Sequence, residues 1–340
     1  MRPIHTSHDA YFKQMFGDPA LAADALRRLL PPSLVAAMDW DQLEQVPTEF
    51  IDEELNAHRA DLVFRVPLRG QTAFVFVLYE HQSTIDPMMP LRVLVYMVGI
   101  WKTWRREHPD ARHLPPIVPV VLYHGERPWS APTAFHDLFA LSPALLDTLG
   151  RFLPAFEVLL DDLARTDDDA IEAGTRRALA TVALLMLKHA AHDPDLTPVI
   201  ERLARHFAAA ANEPGGLEAL VSTLYYVYSN SDLDPGVVER LIAPHLDPAQ
   251  REVIVSTAEK LYRKGFTQGI EQGIEQGIEQ GIERGLGRGE VSMLQKALAY
   301  KFGPLSTTLT ERIAEADAAQ RERWLQRAFE ARSLAEVFTD

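Results

Sequence analysis

The chain has 340 residues, a formal net charge of −14 from 34 Lys and Arg against 48 Asp and Glu, and no cysteine. Its length accommodates two or three domains with a large core. Without cysteine, disulfides and thiolate-bound zinc or iron–sulfur centres are excluded. No apolar run reaches the ~18 residues that a membrane span requires, and the N-terminal stretch lacks the apolar core of a signal peptide. A cytoplasmic protein with no membrane partner is therefore expected. The acidity argues against nucleic acid as a partner, but it is unevenly spread. Residues 1–130 hold 13 basic and 16 acidic side chains, whereas residues 131–340 hold 21 and 32. The near-neutral first part leaves a nucleic-acid partner open.

In chain order, Ser7 can cap a helix in which Phe12, Met15 and Phe16 fall at helical spacing. A second helix is predicted from Pro19 to Leu30, stopped by Pro31-Pro32. Two apolar runs, 60–66 and 72–80, then flank Gly70-Gln71, a pair suited to a two-residue hairpin turn. Leu91 to Glu107 reads as an apolar helix. Leu114 to Tyr123 contains a short apolar strand that its prolines push toward a sheet edge or an irregular start. Helix, hairpin, helix and strand together predict an α/β unit, a mixed sheet with helices packed on it, over residues 1–132. From 133 to 262 the pattern is helical. Asp161-Asp162 and Asp167-Asp168-Asp169 read there as acidic loops and helix starts rather than a site.

Residues 263–290 carry a tetrad repeat from Gly265 to Gly289, with Gly-Ile-Glu-Gln three times in succession. Glycine at every fourth position costs a lone helix roughly 1 kcal/mol each against alanine. The segment is therefore expected to be helical only where a partner exploits close approach, and a tether otherwise. Self-association into a homo-oligomer through this repeat and the tail is the favoured reading. Residues 291–340 read as a small helical domain broken at Gly303-Pro304.

The hairpin carries the candidate chemistry. If Gly70-Gln71 forms the turn, every facing pair sums to 141, and Asp61 stands opposite Glu80 with side-chain roots roughly 5 Å apart. Gln82 lies on the same face, one diagonal step away. Facing carboxylates repel unless a cation or a shared proton lies between them. A Mg²⁺ ion there would polarise a phosphodiester and activate a water. His81 points to the opposite face, so its backbone carbonyl rather than its ring is expected to reach the metal.

The words around this constellation carry a resemblance. Asp61 followed by Glu80-His81-Gln82 at a strand end is similar to the PD-(D/E)XK nuclease motif in its D…ExQ form. His8-Asp9-Ala10-Tyr11-Phe12-Lys13, Glu80 to Ser83, Pro90-Leu91-Arg92 with Tyr96, and Val118 to Gly125 resemble the Rpn recombination-promoting nucleases, also called YhgA-like transposases. The last residues resemble the DUF4351 domain. The resemblance implies a restriction-endonuclease-like sheet flanked by helices, then an all-helical region and a C-terminal helical domain. It implies Mg²⁺-dependent cleavage of double-stranded DNA, linked to recombination or to defence against foreign DNA. Asp61 and Glu80 would be metal ligands, and Gln82 would take the place of the motif's lysine. Glutamine is neither cation nor base, so it can only position water or phosphate; a nuclease-like scaffold without activity is the rival reading. His8, Asp9 and Lys13 on the first helix, and Arg92 and Tyr96 one turn apart on a later one, are auxiliary or DNA-contacting candidates, each with a surface or core alternative. Lys102, Arg105 and Arg106 could meet a DNA backbone or complement a helix C-terminus. His124 reads as structural.

Overall fold

The structure is a computed structural model that describes residues 8–47, 61–69 and 74–338, without the side chains of 74, 75, 265, 266 and 268–288. The chain divides into two compact units, Met1–Arg263 and Lys264–Asp340. Ser7 and the predicted turn Gly70-Gln71 lie outside the described residues.

Helices α1 (His8–Phe16), α2 (Pro19–Leu29) and α3 (Pro32–Ala37) precede the strands β1 (Glu44–Val46), β2 (Leu62–Pro67) and β3 (Phe74–Gln82). Helix α4 (Met89–Glu107) then leads to β4 (Ile117–Tyr123), and α5 (Pro143–Leu149) to β5 (Leu159–Asp162). The helices α6 (Asp168–Gly174), α7 (Ala178–His189), α8 (Thr197–Ala211), α9 (Gly216–Asn230) and α10 (Pro235–Leu241) follow, and then α11 (Pro248–Phe302). The tail holds α12 (Thr307–Glu315), α13 (Ala318–Glu330) and α14 (Leu334–Val337). Among the described residues no helix is long and apolar enough to cross a membrane.

The strands form one mixed sheet in the order β1-β2-β3-β4-β5. β1, β2 and β3 pair antiparallel, while β3–β4 and β4–β5 are parallel. The expected register holds, since Leu62 pairs with Tyr79 and Val66 with Val75. Strand alternation feeds two cores, because successive side chains leave opposite faces. Leu62, Phe64, Val77, Tyr79 and Leu122 face α1, α2 and α7. Val63, Phe76, Leu78 and Val121 face the α4 side chains Met89, Val93, Tyr96 and Ile100. Helix α7 is buried from Leu179 through Leu187, so it is apolar on all sides, as a central helix must be.

Two features depart from the sequence reading. β4 is an interior strand rather than an edge. Its Pro119, however, lies one residue before β5 begins to pair at Val120, where the missing N–H leaves no ladder bond broken toward β5. The stretch expected to be all helical also supplies β5. Its Asp161 is buried against Arg28 of α2, and Asp162 accepts the Trp129 and Ala164 N–H groups. Those acids therefore finish a strand rather than lining a loop.

The second unit has its own core of Leu294, Leu298, Ile313, Trp324, Ala328 and Val337. Ser306 caps α12 and Asp317 caps α13 through side-chain bonds to backbone N–H groups. The tetrad repeat is helical within α11.

Candidate functional site

The site lies where the β2 start and the β3 end meet α1 and α4. The ladder brings Asp61 alongside Glu80, and the Asp61 N–H donates to Glu80 Oε1 at 2.9 Å. Asp61 Oδ2 in turn accepts the His81 N–H at 2.9 Å. Glu80 is only 2% exposed, and its nearest cation is Arg92 of α4, Nη2 to Oε2 at 3.7 Å. Arg92 is shared with Asp86, 3.3 Å away. Burial, and then the neighbouring Asp61 charge, push the Glu80 carboxyl up to about 8. Burial also raises Asp61. Two adjacent carboxyls that resist ionisation together are a place where a divalent cation would be stabilised, so the donor set fits a hard metal ion.

On the α1 side the carboxylates meet Lys13. Its Nζ is 2.9 Å from Asp9 Oδ1 and 3.0 Å from Asp61 Oδ1. Burial would raise Asp9, but the Lys13 hydrogen bond and charge hold it below its ordinary value. Among the described residues, Asp9, Asp61 and His81 each offer one ligand atom within 4.8 Å of the others. The ring of His81 therefore joins this end of the sheet, which strand alternation alone had set aside. Alternation assigns His81 to the α1 face, and α1 brings Asp9 to that same face. The His81 carbonyl accepts from Gln82 Nε2 at 2.6 Å.

The His81 ring is stacked between Phe12 (centroids 5.1 Å apart) and His124 (4.7 Å). His8 lies 4.7 Å from His124 and bonds the Tyr226 hydroxyl through Nδ1 at 2.7 Å. His192 Nε2 sits 2.8 Å from the His124 carbonyl. Burial pushes the His81 imidazole down to about 3, so the ring is neutral. His192 and Tyr226 gave no sequence signal as site neighbours; Tyr226 is 218 positions from His8 and arrives on α9. Tyr96 is 4% exposed and belongs to the α4 core, its alternative reading. Lys102, Arg105 and Arg106 are exposed on α4, with Arg105 bonded to the Ala111 carbonyl. Asp168 is tied to Lys188 at 2.6 Å and to His189 at 3.1 Å, a structural cluster.

The recombination-promoting nuclease RpnD of Escherichia coli O157:H7 is 29% identical over 260 residues, covering 76% of this chain and 94% of that protein. RpnA of Escherichia coli K12 is 30% identical over 267 residues, 76% of this chain and 85% of that protein. The inactive recombination-promoting nuclease-like protein RpnE of the same strain is 29% identical over 259 residues, 76% and 82% of the two chains. No solved structure matches. The pattern of the YhgA-like transposases matches residues 6–217, a span that holds α1, the whole sheet and α7, and the chain belongs to that family.

Proposed function

We propose that the chain is a Mg²⁺-dependent endonuclease that hydrolyses phosphodiester bonds in double-stranded DNA, in the service of recombination or of defence against foreign DNA. The observation that carries this reading is the Asp61–Glu80 pair, held in register by the hairpin and by the Asp61 N–H bond to Glu80. Asp61, Glu80 and the His81 carbonyl would hold the ion. When bound, it supplies Lewis-acid polarisation of the phosphodiester and a more acidic water. Arg92 offsets charge on the buried Glu80 side. Gln82 commits its amide nitrogen to the His81 carbonyl, and among the described residues its amide oxygen has no donor, so it would accept a hydrogen bond from the attacking water. That carbonyl has a second lone pair for a cation. Lys13 and the exposed Lys102, Arg105 and Arg106 are the cations suited to phosphate. The RpnD and RpnA names support the nuclease reading. Cytoplasmic location and self-association through the repeat and a DUF4351-like tail belong to the same proposal.

The second reading, a DNA- or protein-binding scaffold without activity, is favoured by Gln82 in place of a lysine and by the similarity to RpnE, a protein named inactive. Supercoiled plasmid incubated with Mg²⁺ separates the two. Nicking by the wild type that is lost in Asp61→Ala and Glu80→Ala supports the enzyme. Equal nicking by all three removes the site, and none by any selects the scaffold.

A further inference from the structure

We infer that a second divalent cation position lies on the α1 side of Asp61, formed by Asp9, Asp61 and the ring of His81. It would take a first-row transition ion of the Mn²⁺ type. The inference rests on the reading that this end of the sheet is a cation centre, but it concerns a different ligand set from the Glu80 side.

Three elements contribute one donor each: α1 gives Asp9, the start of β2 gives Asp61 and β3 gives His81. Their ligand atoms lie within 4.8 Å of one another. Two acids near each other would not argue for an ion by themselves. The independent observation is the imidazole. His81 is 7% exposed, and its Nε2 is buried with no hydrogen-bond partner among the described residues. A buried ring nitrogen left unsatisfied costs free energy, and native structures rarely tolerate one without a ligand or a water. Stacking on Phe12 and His124 holds the ring in place, as a ligating imidazole requires.

The donor chemistry sets the ion class. Mg²⁺ favours an all-oxygen shell, whereas imidazole nitrogen beside carboxylates suits transition ions. Lys13 supplies the competitor. Its ammonium contacts both Asp9 and Asp61, so an ion at this position must displace it.

The test is Mn²⁺ binding by the full chain, read by pulsed electron paramagnetic resonance and titration rather than by cleavage. Wild type is expected to show ¹⁴N modulation from a bound imidazole. His81→Asn should lose it, and Glu80→Gln should retain it. Asp9 is half exposed, so Asp9→Asn leaves the fold intact, and it should weaken Mn²⁺ binding about tenfold, one lost ligand at roughly 1.4 kcal/mol. Lys13→Met should strengthen binding by a similar factor. Absent ¹⁴N modulation in wild type, its persistence in His81→Asn, or unchanged affinity in Asp9→Asn would each overturn the assignment. If plasmid nicking fails while His81-dependent Mn²⁺ binding remains, the nuclease reading falls and this one stands. Nicking that depends on Asp61 and Glu80 without ¹⁴N modulation gives the converse.

Discussion

Replacing Glu80 with glutamine in metal-free protein should remove a pH-dependent instability. The Glu80 carboxyl is pushed from 4.5 up to about 8, first by burial and then by Asp61. The folded state therefore holds a proton that the unfolded state has released between those values. Stability falls as pH rises across that window and is flat below it, where both states are protonated. At roughly 1.4 kcal/mol per unit, the full displacement corresponds to about 5 kcal/mol. About three units of that displacement lie above pH 5, so about 4 kcal/mol is the expected loss for wild type between pH 5 and pH 8.5. Glu80→Gln keeps an oxygen to accept the Asp61 N–H and has no charge to desolvate. Urea unfolding in a chelator, followed by far-ultraviolet circular dichroism, should show wild type losing stability across the window and Glu80→Gln nearly level. Saturating Mg²⁺ should flatten the wild-type profile as well, because a bound cation stabilises the ionised carboxylate. Parallel profiles for the two proteins in chelator would refute the buried, charge-coupled picture of Glu80.

Other perturbations follow from the same packing. Arg28→Met strands the Asp161 carboxylate, which is 1% exposed, and should cost about 3–5 kcal/mol; the double variant Arg28→Met with Asp161→Leu should recover most of it in the same urea assay. Leu184→Ala opens a cavity at a fully buried position of α7 and should cost about 2–5 kcal/mol, measured by thermal or urea unfolding. Deleting residues 265–289 should lower the oligomeric state in light scattering; an unchanged mass would make the repeat a spacer.

The hairpin register was legible because turn chemistry and strand period act over a few residues. Once Gly70-Gln71 is taken as the turn, the facing of Asp61 and Glu80 follows, and the pairing of Leu62 with Tyr79 agrees with it. The extent of α2 was likewise local, set by Pro19 at its start and Pro31-Pro32 beyond its end. β5 was not legible. Leu159-Leu160 is too short to show alternation, and Asp161 looks like a loop residue until Arg28, 133 positions away, is brought against it. The His81 ring was missed for the same reason. Alternation correctly sends it away from Glu80, but only tertiary packing brings α1, with Asp9 and Lys13, to that face.

The most direct measurement is single-turnover cleavage of an end-labelled DNA duplex by chelator-treated protein, with Mg²⁺ then added back, for wild type and Asp61→Asn of matched folding stability. Wild type should cleave only when Mg²⁺ is present, and Asp61→Asn at a rate at least about a hundredfold lower, the order expected when a charge-stabilising group is removed. Cleavage that persists in chelator, or that proceeds equally in Asp61→Asn, would contradict Mg²⁺-dependent catalysis at Asp61.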